Sequence, residues 1–360
     1  MLQPHSFGAR EPSDLRNLPW IASTIRMTLQ FRNDLRAWSR RAAASLALAA
    51  ASLLISHSAS AIDYPTRTVR LVVPFPAGGV PDVLARILAQ GLSEKWRQPV
   101  VIENRGGANT SLGAAFVARS AADGYTLLFT TDGTFILNPL LYSNLPYAMA
   151  ELAPISLVAT SAHALAIHKS VPARSVKEFV ALAKAKPGQL SYGTSGPASI
   201  QRIAMELLCR TEGITLLHVP YKGSGETMTA LIAGEISSTI NGGLNIFPLM
   251  NHESIRALAV TTPTRSRFAP GLPTMQEEGV AGFVSQGMSG VFAPAGVPTA
   301  IRDKVHSDIV ELLQRQDIKD ALSKSFFEPQ GKNAEEFDAT IKRESERWRK
   351  VITEAKIAID

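Results

Sequence analysis

A strand, a glycine-rich loop and a helix start follow one another in Val69-Arg70-Leu71-Val72-Val73-Pro74-Phe75-Pro76-Ala77-Gly78-Gly79-Val80-Pro81-Asp82. The first five residues are apolar or β-branched around one arginine, which predicts a short buried strand. A helix is predicted over Pro81 to Trp96, because its apolar residues recur at the spacing of one helix face. A strand that feeds a helix through a short loop is the unit from which open α/β sheets are built.

The same alternation continues along most of the chain. Further strands are predicted at Val100–Glu103, Tyr125–Thr130, Ala164–His168, Leu190–Gly193, Leu216–Val219, Ser237–Asn241 and Ala257–Thr261. Further helices are predicted at Leu112–Arg119, Val176–Lys186, Ile200–Arg210 and Thr227–Ala233, with a charged helix over Asn333–Ile357 on the outside of one lobe. This rhythm predicts an α/β protein with parallel sheets covered by helices on both faces. Because the units are too many for one compact sheet, we expect two sheets joined by crossing strands.

Composition is that of a globular protein: 45% of the 360 residues are hydrophobic and 19% are charged. The formal net charge is +6, but residues 1–61 hold seven basic and three acidic residues, which leaves the rest at +2. A nucleic-acid partner is therefore not expected, since no basic stripe remains to neutralise phosphates. The single cysteine, Cys209, cannot form an internal disulfide and is expected to be buried.

Residues 1–61 have the three parts of a secretory signal peptide. Arg40-Arg41 precedes the apolar run Ala42–Ile55, and small residues lead to Ala61. The apolar run is shorter than the ~20 residues that span a bilayer, so we predict cleavage near Ala61 and secretion to the periplasm. Met27 is an alternative start, and the arginine pair leaves both general and twin-arginine export open. No cysteine near Ala61 offers a lipid anchor.

Five loops at strand ends carry the candidate ligand-binding residues. In the first loop, N–H groups at a helix start favour a carboxylate or phosphate. An equally weighted alternative is that the loop is only a tight turn, in which Asp82 offsets the helix dipole. Ligands in open α/β sheets lie outside the carboxyl ends of the strands, so we expect all five loops to face one cleft. The candidates are Phe75, Ala77, Gly78, Gly79, Val80, Asp82, Thr131, Asp132, Gly133, Thr134, Ser195, Gly196, Ser199, Arg202, Tyr221, Lys222, Gly223, Asn241, Gly243 and Leu244.

Enzyme signatures are weak. The segment Gly193–Pro197 has proline where the nucleophile elbow of hydrolases has its last glycine. No phosphate-binding P-loop and no G-x-G-x-x-G helix start is found. His163, His168 and His218 fall in or beside strand patterns, where we expect packed, hydrogen-bonded side chains. The sequence therefore predicts a binding protein with no catalytic residue, no cofactor and no metal.

Ordered motifs from about Ile62 to the C-terminus resemble one family. They include Val73-Pro74-Phe75-Pro76-Ala77-Gly78-Gly79, Val101-Ile102-Glu103-Asn104-Arg105, Ala122-Asp123-Gly124-Tyr125-Thr126-Leu127-Leu128, His218-Val219-Pro220-Tyr221-Lys222-Gly223 and Ala293-Pro294-Ala295-Gly296-Val297-Pro298. The chain resembles the Bug family, the extracytoplasmic solute receptors of tripartite tricarboxylate transporters.

The resemblance implies a two-lobed periplasmic binding fold of the flytrap kind. It places chain crossings near Ser161 and Ser285, so that residues 62–160 and 285–360 form lobe 1 and residues 161–284 form lobe 2. The implied role is capture of a small organic acid or amino acid by hinge closure. A monomeric receptor would then deliver it to the membrane permease subunits. The alternatives are a ligand sensor that signals to a membrane partner without uptake and, disfavoured, a hydrolase.

Several residues depart from the family pattern. Val80 and Pro81 replace a glycine and a threonine of the anion-holding loop. Arg202 stands where relatives often have histidine, and Asn241 stands where they have an acid. We hypothesise that Asn241 and Arg202 favour a more anionic ligand; the alternative is that Arg202 points to solvent.

Overall fold

The computed structural model describes residues 63–357. Its strands are β1 (Val69–Val73), β2 (Val100–Asn104), β3 (Thr126–Thr131), β4 (Leu152–His168), β5 (Ser191–Thr194), β6 (Leu217–Pro220), β7 (Ser238–Gly242), β8 (Ile255–Val260), β9 (Gln286–Pro294) and β10 (Phe327–Lys332). Its helices are α1 (Val80–Trp96), α2 (Ser111–Ala118), α3 (Asn138–Leu141), α4 (Val176–Ala185), α5 (Ile200–Glu212), α6 (Ser224–Ala233), α7 (Gly243–Ile246), α8 (Thr299–Gln314), α9 (Gln316–Lys324) and α10 (Ala334–Glu354). A π-helical turn covers Gly133–Leu137, and 3-10 turns cover Met149–Glu151 and Phe247–Leu249.

Strand β4 joins two sets of strands. The strand order is β2-β1-β3-β9-β4-β7-β5-β6, with β10 and β8 also paired to β4. Leu152 to Ala162 of β4 pair with β9, whereas His163 to Ile167 pair with β7. The set β1, β2, β3, β9 and β10 is called the first sheet, and the set β5, β6, β7 and β8 the second sheet. The predicted two sheets joined by a crossing strand are confirmed, while the assignment of residue ranges to lobes stays a prediction.

The prediction of parallel sheets is only partly right. Pairs β1–β2, β1–β3, β5–β6 and β5–β7 are parallel, but β9 runs antiparallel to β3 and to β4. Strand β4 is also antiparallel to β7, β8 and β10. The reason is the crossing itself: β4 leaves the first sheet in one direction and β9 returns beside it in the other.

Helices cover both faces of each sheet, as predicted. Helices α1, α8 and α9 pack on one face of the first sheet, and α2 and α10 pack on the other. On the second sheet, α4 and α5 cover one face while α6 and α7 cover the other. Cys209 of α5 is buried as expected, and burial raises the pKa of its thiol to about 12.

Helix α10 contacts elements of both sheets, so the prediction that it lies on one lobe was too narrow. Near its start, the Phe337 ring packs edge-on against Phe135, with ring centroids 5.3 Å apart, and lies 5.1 Å from Phe292 of β9. Near its end, Glu354 forms an ion pair with Arg210 of α5 at 3.1 Å. The helix begins where the Asn333 side chain accepts the N–H of Glu336.

Within residues 63–357, no helix combines the length and apolarity that crossing a bilayer requires. The predicted signal peptide, its cleavage near Ala61 and the alternative start at Met27 lie outside the described residues.

Candidate ligand-binding site

A cleft of about 730 Å³ lies where the predicted loops meet. All five loops contribute to its lining. The candidates that line it are Phe75, Val80, Thr131, Asp132, Gly133, Ser195, Gly196, Ser199, Tyr221, Lys222, Asn241, Gly243 and Leu244. Ala77, Gly78, Gly79, Asp82, Thr134, Arg202 and Gly223 are not among the lining residues. That the lining residues contact a ligand stays a prediction.

Asp82 holds the first loop in shape and is only 1% exposed. Its carboxylate accepts the N–H of Gly78 at 2.9 Å, Nε of Arg86 at 2.8 Å and Nδ2 of Asn104 at 2.8 Å. Burial acts to raise the pKa of Asp82, but these hydrogen bonds outweigh it and hold the pKa below its ordinary value. Asp82 therefore supports the turn, while Phe75 and Val80 of the same loop line the cleft.

The second loop combines a cleft-lining acid with a buried support. The Thr134 hydroxyl is fully buried and bonds to the hydroxyls of Thr110 at 2.7 Å and Thr130 at 2.5 Å. Asp132 lines the cleft, and the nearby backbone N–H groups of Met288 and Gly133 act to lower the pKa of its carboxyl group. Burial raises the pKa of Asp132 to about 7. The end of β3 thus places a carboxyl group with a raised pKa in the cleft.

Gln201, which the sequence analysis missed, connects three loops of the second sheet. Its side chain is 5% exposed and lines the cleft. Oε1 accepts both the backbone N–H and the hydroxyl of Ser195, while Nε2 donates to Ser224 at 3.0 Å and to Asn241 at 3.1 Å. Gln201 lies four residues before the buried Met205 of the same helix. A polar residue on the apolar face of α5 is the signal that could have found it.

Replacing Gln201 by leucine is expected to lower the free energy of unfolding by about 1–3 kcal/mol, because the buried Asn241 and the partly buried Ser195 and Ser224 lose their partner. Urea denaturation followed by circular dichroism measures the loss. Gln90→Leu is the matched control, since Gln90 is exposed on α1 and bonds only to Glu94 among the described residues. A loss no larger than that of the control would contradict the connecting role of Gln201.

Arg202 faces the end of its own loop. Its Nη1 donates to the carbonyl oxygen of Pro197 at 3.1 Å. Asn241 is fully buried, and its Oδ1 accepts the N–H of Gly242 at 2.8 Å as well as the Gln201 amide. The hypothesis that this pair favours a more anionic ligand stays a prediction.

The three histidines are packed and hydrogen-bonded, as predicted. His218 stacks on Tyr192 and bonds to the hydroxyl of Thr194 at 2.8 Å, and His168 bonds to Ser170 at 2.7 Å. His163 bonds to the Ser285 hydroxyl at 3.3 Å, and burial lowers its pKa to about 4, so it is neutral at pH 7. His163 also lines the cleft, as do other residues that the sequence analysis missed: Asn109, Thr110, Ser161 and Ser289.

Two helix-covered sheets that share a crossing strand, with a cleft between their loops, are the architecture of periplasmic solute-binding proteins. The model of the tripartite tricarboxylate transporter family receptor matches residues 84–357. The protein BugT of Bordetella pertussis is 32% identical over 302 residues, which cover 83% of this chain and 93% of BugT.

Solved structures agree with the sequence relatives. Rpa4515 of R. palustris, solved with adipate, is 35% identical with a TM-score of 0.74, covering 82% of this chain and 99% of that one. MatC of Rhodopseudomonas palustris, solved with bound malate, is 28% identical with a TM-score of 0.69, covering 80% of this chain and 100% of that one. The chain therefore belongs to the tripartite tricarboxylate transporter receptor family, which confirms the predicted resemblance to the Bug proteins. The family consists of periplasmic solute-binding receptors and not of enzymes.

Proposed function

We propose that this receptor captures a small carboxylate in the cleft and carries it through the periplasm to the membrane permease subunits of a tripartite tricarboxylate transporter. The observation that carries the proposal is the meeting of three helix starts at the cleft. Val80 begins α1, Ile200 begins α5 and Ser224 begins α6, and all three residues line the cleft. First-turn N–H groups have no partner within a helix and carry partial positive charge, which suits a carboxylate.

Two further facts support a carboxylate. Lys222 lines the cleft and adds a full positive charge beside the start of α6. Among the relatives, Rpa4515 was solved with adipate and MatC with malate, both small carboxylates. The cleft volume of about 730 Å³ is ample for molecules of that size.

The distribution of the lining residues supports hinge closure. Phe75 and Thr131 lie at strand ends of the first sheet, whereas Ser195 and Tyr221 follow strands of the second. A ligand that contacts both groups binds the closed arrangement better and shifts the population toward it. The proposal includes export by the signal peptide that ends near Ala61 and action as a monomer.

The binding test is a thermal-shift screen of the exported protein, purified from the periplasm, against di- and tricarboxylates, amino acids and aromatic acids. A ligand at 100 times its dissociation constant stabilises the native state by about 2.7 kcal/mol. We expect at least one small acid to raise the melting temperature by several degrees. If no small acid does so, the carboxylate proposal fails.

Delivery is tested separately from binding. Cells that lack this receptor are expected to stop accumulating the radiolabelled acid found in the screen, and the restored gene should return uptake. Uptake that continues unchanged without the receptor would favour the sensing alternative.

A further inference from the structure

Asp132 is the one acidic side chain among the described residues that line the cleft. It follows β3 and is 7% exposed. In the described part of the chain its carboxylate forms no ion pair, and Glu344 of α10 adds a like charge. The nearby backbone N–H groups of Met288 and Gly133 favour the charged form, but burial opposes it more strongly. A buried carboxylate with no cation beside it is costly in free energy.

The cleft therefore carries groups of both signs on different loops. The positive groups are the starts of α1, α5 and α6 together with Lys222, which stand after β1, β5 and β6. The negative group stands after β3 and contacts β9. A ligand with carboxylates alone would satisfy the first set and bring like charge toward the second. A ligand that also carries a cation would satisfy both.

We propose that the ligand carries an ammonium group in addition to its carboxylate, and that Asp132 accepts hydrogen bonds from that ammonium. The inference rests on the proposed carboxylate-binding function and narrows it to amino-bearing acids. An ammonium is preferred over a neutral donor because a hydrogen bond between two charged groups is about twice as strong as one between neutral groups. Burial raises the pKa of Asp132 to about 7, and a bound cation would lower that pKa again and keep the carboxylate charged.

Isothermal titration calorimetry of the full exported receptor with matched acids tests this proposal. L-glutamate is compared with glutarate and L-aspartate with succinate, because each pair differs only in the amino group. In the wild-type protein, the amino-bearing member of at least one pair is expected to bind about tenfold tighter or better. In Asp132→Asn, that preference is expected to shrink to about threefold or less, chiefly through weaker binding of the amino-bearing member.

Asp338→Asn is the matched control, since Asp338 is partly exposed on α10 and pairs with Lys342; it should keep the wild-type preference. If glutarate or succinate binds the wild-type protein as tightly as its amino-bearing partner, the ammonium inference is overturned while the carboxylate function stands. The ammonium inference is also overturned, and the carboxylate function still stands, if Asp132→Asn keeps the full preference for the amino-bearing acid. If no member of either pair binds and the wider screen also finds no acid, the carboxylate function fails and takes this inference with it.

Discussion

The substitution Phe337→Ala is expected to lower the free energy of unfolding by about 3–5 kcal/mol, the usual cost of deleting a buried aromatic ring. Phe337 is fully buried between Phe135 and Phe292. Phe135 belongs to the π-helical turn that directly follows Asp132, and Phe292 lies on β9. The three rings together hold the loop that brings Asp132 to the cleft. Urea denaturation measures the loss of unfolding free energy.

Phe116→Ala is the control for ring deletion, because the Phe116 side chain is only partly buried and lies beneath the guanidinium of Arg105 at the surface. Phe116→Ala should lower the free energy of unfolding by clearly less than Phe337→Ala does. Equal costs for the two alanine variants would mean that Phe337 is not a central packing residue. Phe337→Leu should fall between them, because leucine refills part of the space.

Asp132→Asn is expected to stabilise the unliganded protein above pH 7. The folded-state pKa of Asp132 is about 7, raised by burial from an ordinary 3.8. Its favourable contribution to stability is therefore fully present when the pH is below the ordinary pKa of 3.8, and it is lost as the pH rises through the folded-state pKa of about 7. About three pKa units correspond to at most about 4 kcal/mol, and we expect the variant to recover about 2 kcal/mol at pH 8.

The measurement is the free energy of unfolding of both proteins from pH 4 to pH 8. The difference between them should be near zero at pH 4, should grow up to about pH 7 and should stay level from there to pH 8. The comparison is needed because His163 acts in the opposite sense: its pKa is lowered to about 4, so its contribution increases stability as the pH rises. A difference that stays constant with pH would show that Asp132 titrates normally in the folded protein.

Local patterns predicted the strands and loops that depend on local chemistry. Strand β1 runs over Val69–Val73 as predicted, because a β-branched apolar run has few other ways to be buried. The loops after successive strands meet at one cleft, as the geometry of open α/β sheets requires. The glycine-rich loop also showed the limit of this reasoning, because whether Asp82 faces a ligand or its own turn depends on Asn104 and Arg86, residues outside the loop.

Features that depend on distant partners could not be predicted in this way. Strand β9 is poor in β-branched residues and contains Gly290, where a Cβ atom would lie 2.4 Å from the Phe337 ring. That glycine makes room for a helix more than forty residues later in the chain. No local sequence pattern predicts this packing. Likewise, the predicted strand Ala164–His168 covers only the end of β4, which begins at Leu152. Its earlier part contains Pro154, Ser156 and Ser161, which conceal the strand pattern.

The strand order also has a consequence for the growing polypeptide. One edge of β3 pairs with β9, so that edge has no native partner until Gln286–Pro294 has been synthesised. Pairings between segments so far apart form slowly, and an uncovered strand edge invites pairing with other chains. Most of this chain is therefore synthesised before its first sheet can close. During that interval a chaperone can hold the polypeptide unfolded.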